Sequence, residues 1–365
     1  MAELIIHTEK IKENIHKLGS FFKKRNIQWS LITKVFSGDE EFLEHILDEE
    51  TISQIDTVGD SRLTSLKNLR NVNPDMHTIY IKPPAAVYAE DVVKYASVSL
   101  NSSFSTIQAL NEAAKKQGIV HKIIIMIELG ELREGVNRSD LISFYERVFS
   151  MQHINVIGIG SNLGCMYGVE PSYDKLLQLH LYKELIAAKF NQELPLISGG
   201  TSITLPMLEG GMVPEYINHF RVGEAAFFGI SPLKNEQFGD LNTGTFEFRA
   251  NIIELEEKKL VPEGVISDAN IGHTAEMSQE DSTAETYKAI LDFGMLDVNQ
   301  EDLVALDSDL HFVGITSDMT VIDLGSNKDA NGNTRFKVGD TISFRLNYMA
   351  VARLLNSKFI DKVFK

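Results

Sequence analysis

The chain has 365 residues, a length that suits one large and one smaller domain. Of these residues 43% are hydrophobic and 24% are charged, as is typical of a soluble globular protein. Its 51 acidic residues outnumber its 35 Lys and Arg residues, and the formal charge of −16 disfavours non-specific binding to nucleic acid or anionic lipid. Cys165 is the single cysteine, which excludes an intrachain disulfide and a multi-thiolate metal site.

The chain begins with a short predicted strand at Leu4–His7 and a predicted helix at Thr8–Lys24. Short apolar strands then alternate with amphipathic helices, most clearly at Ser105–Gln117 and Ser172–Asn191. The predicted strands are Trp29–Thr33, Gln54–Val58, Thr78–Ile81, Tyr95–Leu100, Lys122–Glu128, Asn155–Gly160, Leu194–Ser198 and His219–Val222. Eight strands connected by helical crossovers predict a (β/α)8 TIM barrel over residues 11–230.

The helical period disappears after Gly229. The predicted strands beyond it are Thr243–Glu254, Tyr287–Phe293, Phe312–Ile315, Met319–Leu324 and Thr341–Leu346. They predict a C-terminal mainly-β domain over residues 231–365, and residues 1–10 are assigned to it because Leu4–His7 can join its sheet. The fold class is therefore α/β plus β.

The N-terminal segment has neither a basic region nor a long apolar region. The sequence also has no uninterrupted apolar run of ~18 residues, the length that spans a bilayer. We therefore expect a cytoplasmic protein that binds neither membrane nor nucleic acid.

Lys34 follows the apolar run Ser30–Thr33 at the end of the first predicted barrel strand. A lysine that emerges from an apolar strand is partly desolvated, which favours the neutral amine that forms Schiff bases. Lys34 is thus a candidate covalent anchor for a carbonyl compound or for pyridoxal 5'-phosphate (PLP). The alternative is a lysine that ends a strand and points into water.

Other unusual residues also follow barrel strands, where TIM barrels carry their chemistry. They are Arg133, Asn162, the segment Ser198-Gly199-Gly200-Thr201-Ser202, and Arg221. The Gly-Gly segment combines bare backbone N–H groups with hydroxyls at a helix start, which suits an anion, although an ordinary turn has the same composition. Arg221 can donate to a ring nitrogen without protonating it, or form a salt bridge with Glu224 or another carboxylate.

Five segments together resemble the PLP-dependent alanine racemase superfamily, and most closely its ornithine racemase branch. They are Ile32-Thr33-Lys34-Val35-Phe36, Glu128-Leu129-Gly130-Glu131-Leu132-Arg133-Glu134-Gly135-Val136, Ser161-Asn162-Leu163-Gly164-Cys165, Ser198-Gly199-Gly200-Thr201-Ser202 and Phe220-Arg221-Val222-Gly223-Glu224-Ala225. The resemblance spans nearly the whole chain and implies an alanine racemase-like fold, an amino-acid substrate and a homodimer whose subunits share active sites.

The resemblance also implies individual roles. Lys34 matches the lysine that binds PLP covalently, and Arg221 matches the arginine that faces the pyridine nitrogen. Arg133 matches an arginine near the phenolic oxygen, and Tyr348 matches a tyrosine that reaches the phosphate. The implied cofactor-binding set is completed by Asn162, Ser198, Gly199, Gly200, Thr201 and Ser202, with Gly199, Gly200 and Ser202 as the phosphate cup. The implied substrate-carboxylate loop is Thr316, Ser317 and Asp318.

The chain departs from alanine racemases proper at several positions. Phe36-Ser37-Gly38 replaces a tyrosine and glycines after the lysine, and Ile266 stands where the second catalytic base, a tyrosine, is expected. The candidates for that base here are Asp268, His273 and Ser317. Met126 replaces a lysine that is often carbamylated, so we expect no carbamate.

The hypothesis is a two-base racemase that moves the Cα proton of an amino acid, with ornithine, alanine, lysine and serine left open as substrates. One alternative is a PLP-binding homeostasis protein, which usually consists of the barrel alone. A metal-assisted D-amino-acid lyase or aldolase is expected to use a His and Cys pair near the C-terminus, and neither residue occurs after His311. A PLP-free Schiff-base lyase would leave Arg221 and the Gly-Gly segment without a purpose.

Overall fold

The computed structural model describes residues 1–266, 272–274 and 284–365. It divides into two compact units, which we call the barrel unit (Thr8–Thr243) and the β unit (Met1–His7 with Gly244–Lys365). These boundaries differ from the expected ones at 10/11 and 230/231. The segment before residue 244 belongs to the barrel unit because Asn14 donates to the backbone oxygen of Asn242 (2.9 Å) and Lys17 donates to that of Asp240 (2.8 Å).

Strand β1 (Glu3–Ile6) precedes the barrel strands. The barrel strands are β2 (Gln28–Ile32), β3 (Thr57–Asp60), β4 (Thr78–Tyr80), β5 (Val98–Asn101), β6 (His121–Met126), β7 (Ile154–Gly160), β8 (Leu196–Thr201) and β9 (His219–Val222). Neighbouring strands pair in parallel, and β9 returns to β2 with Val222 opposite Leu31, so the barrel closes. The predicted (β/α)8 barrel is confirmed.

Helices surround the barrel strands. They are α1 (Thr8–Lys23), α2 (Glu40–Ile46), α3 (Glu49–Ile52), α4 (Leu63–Val72), α5 (Ala89–Tyr95), α6 (Phe104–Gln117), α7 (Leu141–Phe149), α8 (Tyr173–Phe190), α9 (Leu205–Glu209) and α10 (Glu224–Phe228). Local sequence determines many of their ends. The hydroxyl of Ser172 accepts from the Lys175 N–H at the start of α8, and Gly118 ends α6 with a φ of 69°.

Each predicted barrel strand overlaps an observed one, and the start is three residues late at Gln54–Val58, where β3 begins only at Thr57, and at Tyr95–Leu100, where β5 begins only at Val98. Residues 54–56 are held outside the strand by Trp29. Its indole donates to the backbone oxygen of Gln54 (2.7 Å), and its backbone N–H donates to the carboxylate of Asp56 (2.8 Å). A side chain from another strand thus moves this boundary.

The barrel interior has an apolar side and a polar side. Ile79, Leu100, Ile124, Met126 and Leu196, from β4, β5, β6 and β8, pack together on the apolar side. The polar side is formed by side chains of β2, β3, β8 and β9, and its members are Ser30, Thr57, Ser198, His219 and Arg221. Polar side chains in a barrel interior need partners within it, because water is excluded there.

The two remaining barrel-unit strands, β10 (Ile230–Ser231) and β11 (Glu236–Gln237), form a small hairpin. The β unit contains β12 (Phe246–Lys259), β13 (His273–Thr274), β14 (Glu285–Leu291), β15 (Leu303–Ala305), β16 (His311–Ile315), β17 (Thr320–Asp323), β18 (Thr341–Leu346), α11 (Tyr348–Leu354) and β19 (Asp361–Phe364). Within it, β12 pairs with β1, β14 and β18. The expectation that the N-terminal strand joins this sheet is confirmed.

The rings of Phe248, Phe293 and Phe344 lie within 5.0 to 6.0 Å of one another in the core of the β unit. In the described part of the chain, no helix is both long enough and apolar enough to cross a membrane.

Candidate active site

Lys34 lies two residues beyond β2, as the first residue of a 3-10 helix that extends to Phe36. Its side chain is exposed in the barrel unit, whereas its place after an apolar strand predicted partial desolvation. The 3-10 turn accounts for the difference, because it carries the lysine past the packed end of the strand. Burial raises the pKa of Glu224, and the positive charge of Lys34 partly offsets this, which places the ammonium near the first residue of α10.

Arg221 is buried on the last barrel strand and donates into the barrel wall. Its Nη1 donates to the backbone oxygen (3.0 Å) and to the hydroxyl of Ser198, and its Nη2 donates to the backbone oxygen of Ser161 (2.8 Å). These bonds take the place of the salt bridge to Glu224 that the sequence left open. Burial lowers the pKa of Arg221 to about 10, so the guanidinium remains charged at neutral pH.

The Ser198–Ser202 segment forms the end of β8 and the turn after it. A Cβ on Gly200 would lie within 2.1 to 2.4 Å of the Phe220 ring, so glycine is needed there for packing. The hydroxyl of Ser202 accepts from the backbone N–H of Ala225 (3.2 Å), which joins this turn to the first turn of α10. Gly199 and Thr201 flank Gly200 on β8, so the predicted cup residues Gly199, Gly200 and Ser202 belong to one continuous segment.

Arg133 lies in the loop after β6. It forms a bidentate ion pair with Glu134 through Nε and Nη2, and its Nη1 contacts the sulfur of Cys165. Cys165 and Asn162 belong to the loop after β7, so the structure brings these two predicted regions together.

Glu131 is a buried carboxylate that the sequence interpretation missed. It accepts backbone N–H groups from Cys165 (3.1 Å), Met166 (2.9 Å), Tyr167 (3.0 Å) and Val169 (2.8 Å). Burial alone would raise the pKa of Glu131, but these donors outweigh it and hold the pKa below its usual value. In the sequence, Glu131 resembles any charged residue of a solvated loop, because its partners lie more than 30 positions away.

His219 is a second missed residue, two positions before Arg221. Its Nδ1 lies 2.7 Å from the hydroxyl of Ser198, and its Nε2 lies 3.1 Å from the hydroxyl of Ser30. Burial, and then the charge of Arg221, lowers the pKa of His219 to about 3. The imidazole is therefore neutral at physiological pH.

Asp60 ends β3 and is fully buried. Its Oδ1 accepts from the backbone N–H of Arg62 (2.9 Å), and no described group meets hydrogen-bond geometry with its Oδ2. Burial raises the pKa of Asp60 to about 6. In the sequence, Asp60 lies two residues beyond the predicted strand Gln54–Val58, and no local pattern indicates its burial.

The remaining predicted residues belong to the β unit. His273 pairs with Ile315, and a Cβ on the adjacent Gly272 would lie 3.4 Å from Thr316, so His273 lies next to the Thr316–Asp318 loop. Tyr348 begins α11. Ile266 is exposed, and Asp268 lies outside the described residues.

These features define a two-domain barrel protein with a candidate site at the strand ends. The parallel (β/α)8 barrel has a lysine after its first strand and an anchored arginine on its last strand, and the second domain is the mainly-β unit. The chain belongs to the alanine racemase family, because residues 6–232 match the family model described as alanine racemase, N-terminal domain. The chain is also 32% identical over 361 residues to the ornithine racemase of Acetoanaerobium sticklandii, covering 99% of this chain and 98% of that protein.

Other known proteins are similar to this chain over nearly its whole length. The lysine racemase of Thermotoga maritima is 28% identical over 362 residues, covering 99% of this chain and 98% of that protein. The crystal structure of alanine racemase from Corynebacterium glutamicum superposes with a TM-score of 0.72 at 16% identity, covering 100% of this chain and 99% of that one. The D-threonine aldolase from Filomicrobium marinum superposes with a TM-score of 0.70 at 12% identity, covering 100% and 91%. These two structures establish the fold alone.

Proposed function

We propose that this protein is a PLP-dependent racemase that interconverts the L and D forms of a diamino acid of the ornithine and lysine class. The full-length likeness to an ornithine racemase and a lysine racemase supports this activity. The observation that carries it is the pair formed by Lys34 and Arg221. One is an exposed amine after the first barrel strand, and the other is a buried cation that barrel oxygens hold on the last strand.

The residues present fit PLP. The hydroxyl of Ser161 is buried beside the backbone oxygen that holds Arg221, and it has no hydrogen-bond partner among the described residues. Such a group is rare in a native interior and suits a site that a polar ligand completes. Lys34 would hold the cofactor covalently, and Arg221 would face its ring. Ser202 and the adjacent glycines would hold its phosphate, with Tyr348 as a further phosphate contact.

PLP, when bound, acidifies the Cα–H of the amino acid by delocalising the carbanion. The Arg221 guanidinium keeps its proton at neutral pH, so it would donate a hydrogen bond to the ring nitrogen and leave that nitrogen unprotonated. That restraint favours return of the proton to Cα over transamination. The Lys34 amine would take or return the Cα proton on one face of the substrate.

A second group must work on the opposite face, because racemisation removes the proton from one side and returns it to the other. His273 and Ser317 are candidates in the described part of the chain, and they lie close together in the β unit. Asp268 remains a candidate from the sequence. We further propose that the protein forms a homodimer in which the Thr316–Asp318 loop of one subunit meets the substrate carboxylate in the other.

The test is chiral chromatography of the PLP-loaded protein after incubation with L-ornithine, L-lysine, L-alanine and L-serine, with visible absorbance recorded on the same sample. We expect a PLP band and D-ornithine or D-lysine. Lys34→Ala should remove the band and the turnover. Lys122→Ala is a matched control, because Lys122 is an exposed lysine at the opposite end of a barrel strand.

Other outcomes would change the assignment. A band without any D-isomer would favour a PLP-binding homeostasis protein. D-alanine alone would retain the racemase and refute the diamino-acid class. Full activity in Lys34→Ala would refute the role of Lys34.

A further inference from the structure

A continuous hydrogen-bond chain crosses four neighbouring strands inside the barrel. Arg221 donates to the Ser198 hydroxyl, which lies 2.7 Å from Nδ1 of His219. Nε2 of the same ring lies 3.1 Å from the Ser30 hydroxyl, which lies 2.6 Å from that of Thr57. Ser30, Ser198 and His219 are fully or almost fully buried.

Counting donors and acceptors determines which atom donates in each bond of this hydrogen-bond chain. A guanidinium only donates, so Ser198 must use its own proton toward another acceptor, and Nδ1 of His219 is the other described partner of its oxygen. Nδ1 is then the bare nitrogen, and Nε2 carries the proton and donates to Ser30. Ser30 in turn donates to Thr57, so the hydroxyl protons of Ser198 and Ser30 each have an acceptor.

We propose that His219, as a neutral ring protonated at Nε2, is a positioning residue that holds Arg221 through Ser198. The opposite tautomer would place two donors on the Ser198 oxygen and leave the Ser198 proton without an acceptor. A charged imidazole would do the same and would also repel Arg221. The ring is thus restricted to one of its three protonation forms.

This inference extends the proposed function, because Arg221 is the residue proposed to face the PLP ring. Arg221 has two remaining anchors, the backbone oxygens of Ser198 and Ser161. The hydroxyl contact is the adjustable one, since a serine rotor turns freely unless a second partner fixes it. His219 supplies that partner and so determines which way Nη1 points.

The chain offers a matched control in His121. This histidine is also buried on a barrel strand, and burial lowers its pKa to about 4. Its Nε2 lies 2.9 Å from the hydroxyl of Ser99, to which Asn101 also donates (2.9 Å). Substituting His121 therefore removes a buried histidine–serine contact that does not involve Arg221.

The first experiment is nitrogen-15 NMR of the imidazoles in the wild-type protein, with the His219 signals assigned by their loss in His219→Gln. We expect the correlation pattern of a neutral ring with its proton on Nε2. A proton on Nδ1, or a charged ring at neutral pH, would overturn the proposal. This measurement requires no cofactor, so it remains decisive even if the protein binds no PLP and the proposed function fails.

The second experiment compares PLP affinity by visible absorbance titration. His219→Phe should weaken PLP binding by about threefold to tenfold, the order expected for one buried hydrogen bond between neutral groups. His219→Gln should restore part of the affinity, because its amide provides one acceptor and one donor. His121→Gln should bind PLP as the wild type does.

Equal PLP affinity in His219→Phe and the wild type would overturn the proposal, and so would an equal loss in His121→Gln, which would indicate a general packing effect. If His219→Phe does not fold, Ser198→Ala replaces it. That variant removes the hydroxyl but keeps the backbone oxygen, and the same loss of affinity is expected.

Discussion

Replacing Glu131 with Gln tests whether one buried carboxylate organises the loop after β7. One oxygen accepts from Cys165 and Val169, and the other accepts from Met166 and Tyr167. The amide exchanges one oxygen for an N–H donor, so two backbone donors lose their acceptor. Each bond to a charged group contributes about 1.5–3 kcal/mol, and the loop can relax toward water, so we expect a local loss of about 3 kcal/mol.

Hydrogen exchange measured by mass spectrometry reads this loss directly, because amide protection reports local opening. A loss of about 3 kcal/mol corresponds to a protection factor roughly a hundredfold lower across residues 165–169. Strands β6 and β7 should keep their protection. PLP affinity should also decline, because Arg133 contacts Cys165 in the loosened loop.

Glu134→Gln is the control, since Glu134 lies in the same loop and pairs with Arg133. It should leave the exchange of residues 165–169 unchanged. Equal exchange in Glu131→Gln and the wild type would refute the role of Glu131. Because its folded pKa is lowered, wild-type protection should persist below the usual Glu pKa and disappear only as the pH falls through the folded value.

Lys34→Ala should abolish both the PLP absorbance band and racemisation while leaving the circular dichroism spectrum unchanged, and residual turnover at the wild-type rate would contradict the assignment. Asp60→Asn should stabilise the protein by about 2 kcal/mol at about pH 8 but not below about pH 4. In the wild type the folded pKa of Asp60, about 6, lies above its unfolded value, so the free energy of unfolding declines as the pH rises through that folded pKa. Unfolding midpoints at the two pH values measure this, and a gain that is independent of pH would refute it. Gly200→Ala should cost about 3 kcal/mol, because its Cβ would overlap the Phe220 ring. In urea unfolding, Gly200→Ala should have a lower free energy of unfolding than Gly210→Ala, whose Cβ would lie 3.3 Å from its nearest neighbour. Equal stability of the two variants would contradict the packing argument.

The approximate positions of the barrel strands and of α1, α6 and α8 were predictable because their signals are local. The apolar run before Lys34 and the hydroxyl of Ser172 act on residues a few positions away, so reading along the chain is enough. The start of β3 was not predictable, because the Trp29 indole holds Gln54 from 25 positions away.

The candidate site divides in the same way. Lys34 and Arg221 could be named from the sequence, because each is an unusual residue at the end of an apolar strand and both fall in family-like segments. The importance of Glu131 and His219 depends on where their partners lie, and those partners come from other strands and loops. A glutamate in a charged loop and a histidine in a strand have no local pattern that separates buried from solvated.

The sequence by itself determined the alternation of strands and helices, the change to a β unit, and the residue types at the barrel mouth, since periodicity and composition act over short distances. Tertiary structure alone decided burial and hydrogen-bond partnership. Closing the barrel brought Ser30 and Ser198 to opposite sides of His219, and it buried Asp60 with one oxygen unpartnered among the described residues. Ionisation and orientation follow from such contacts, because a group's pKa depends on the water it loses and the partners it gains.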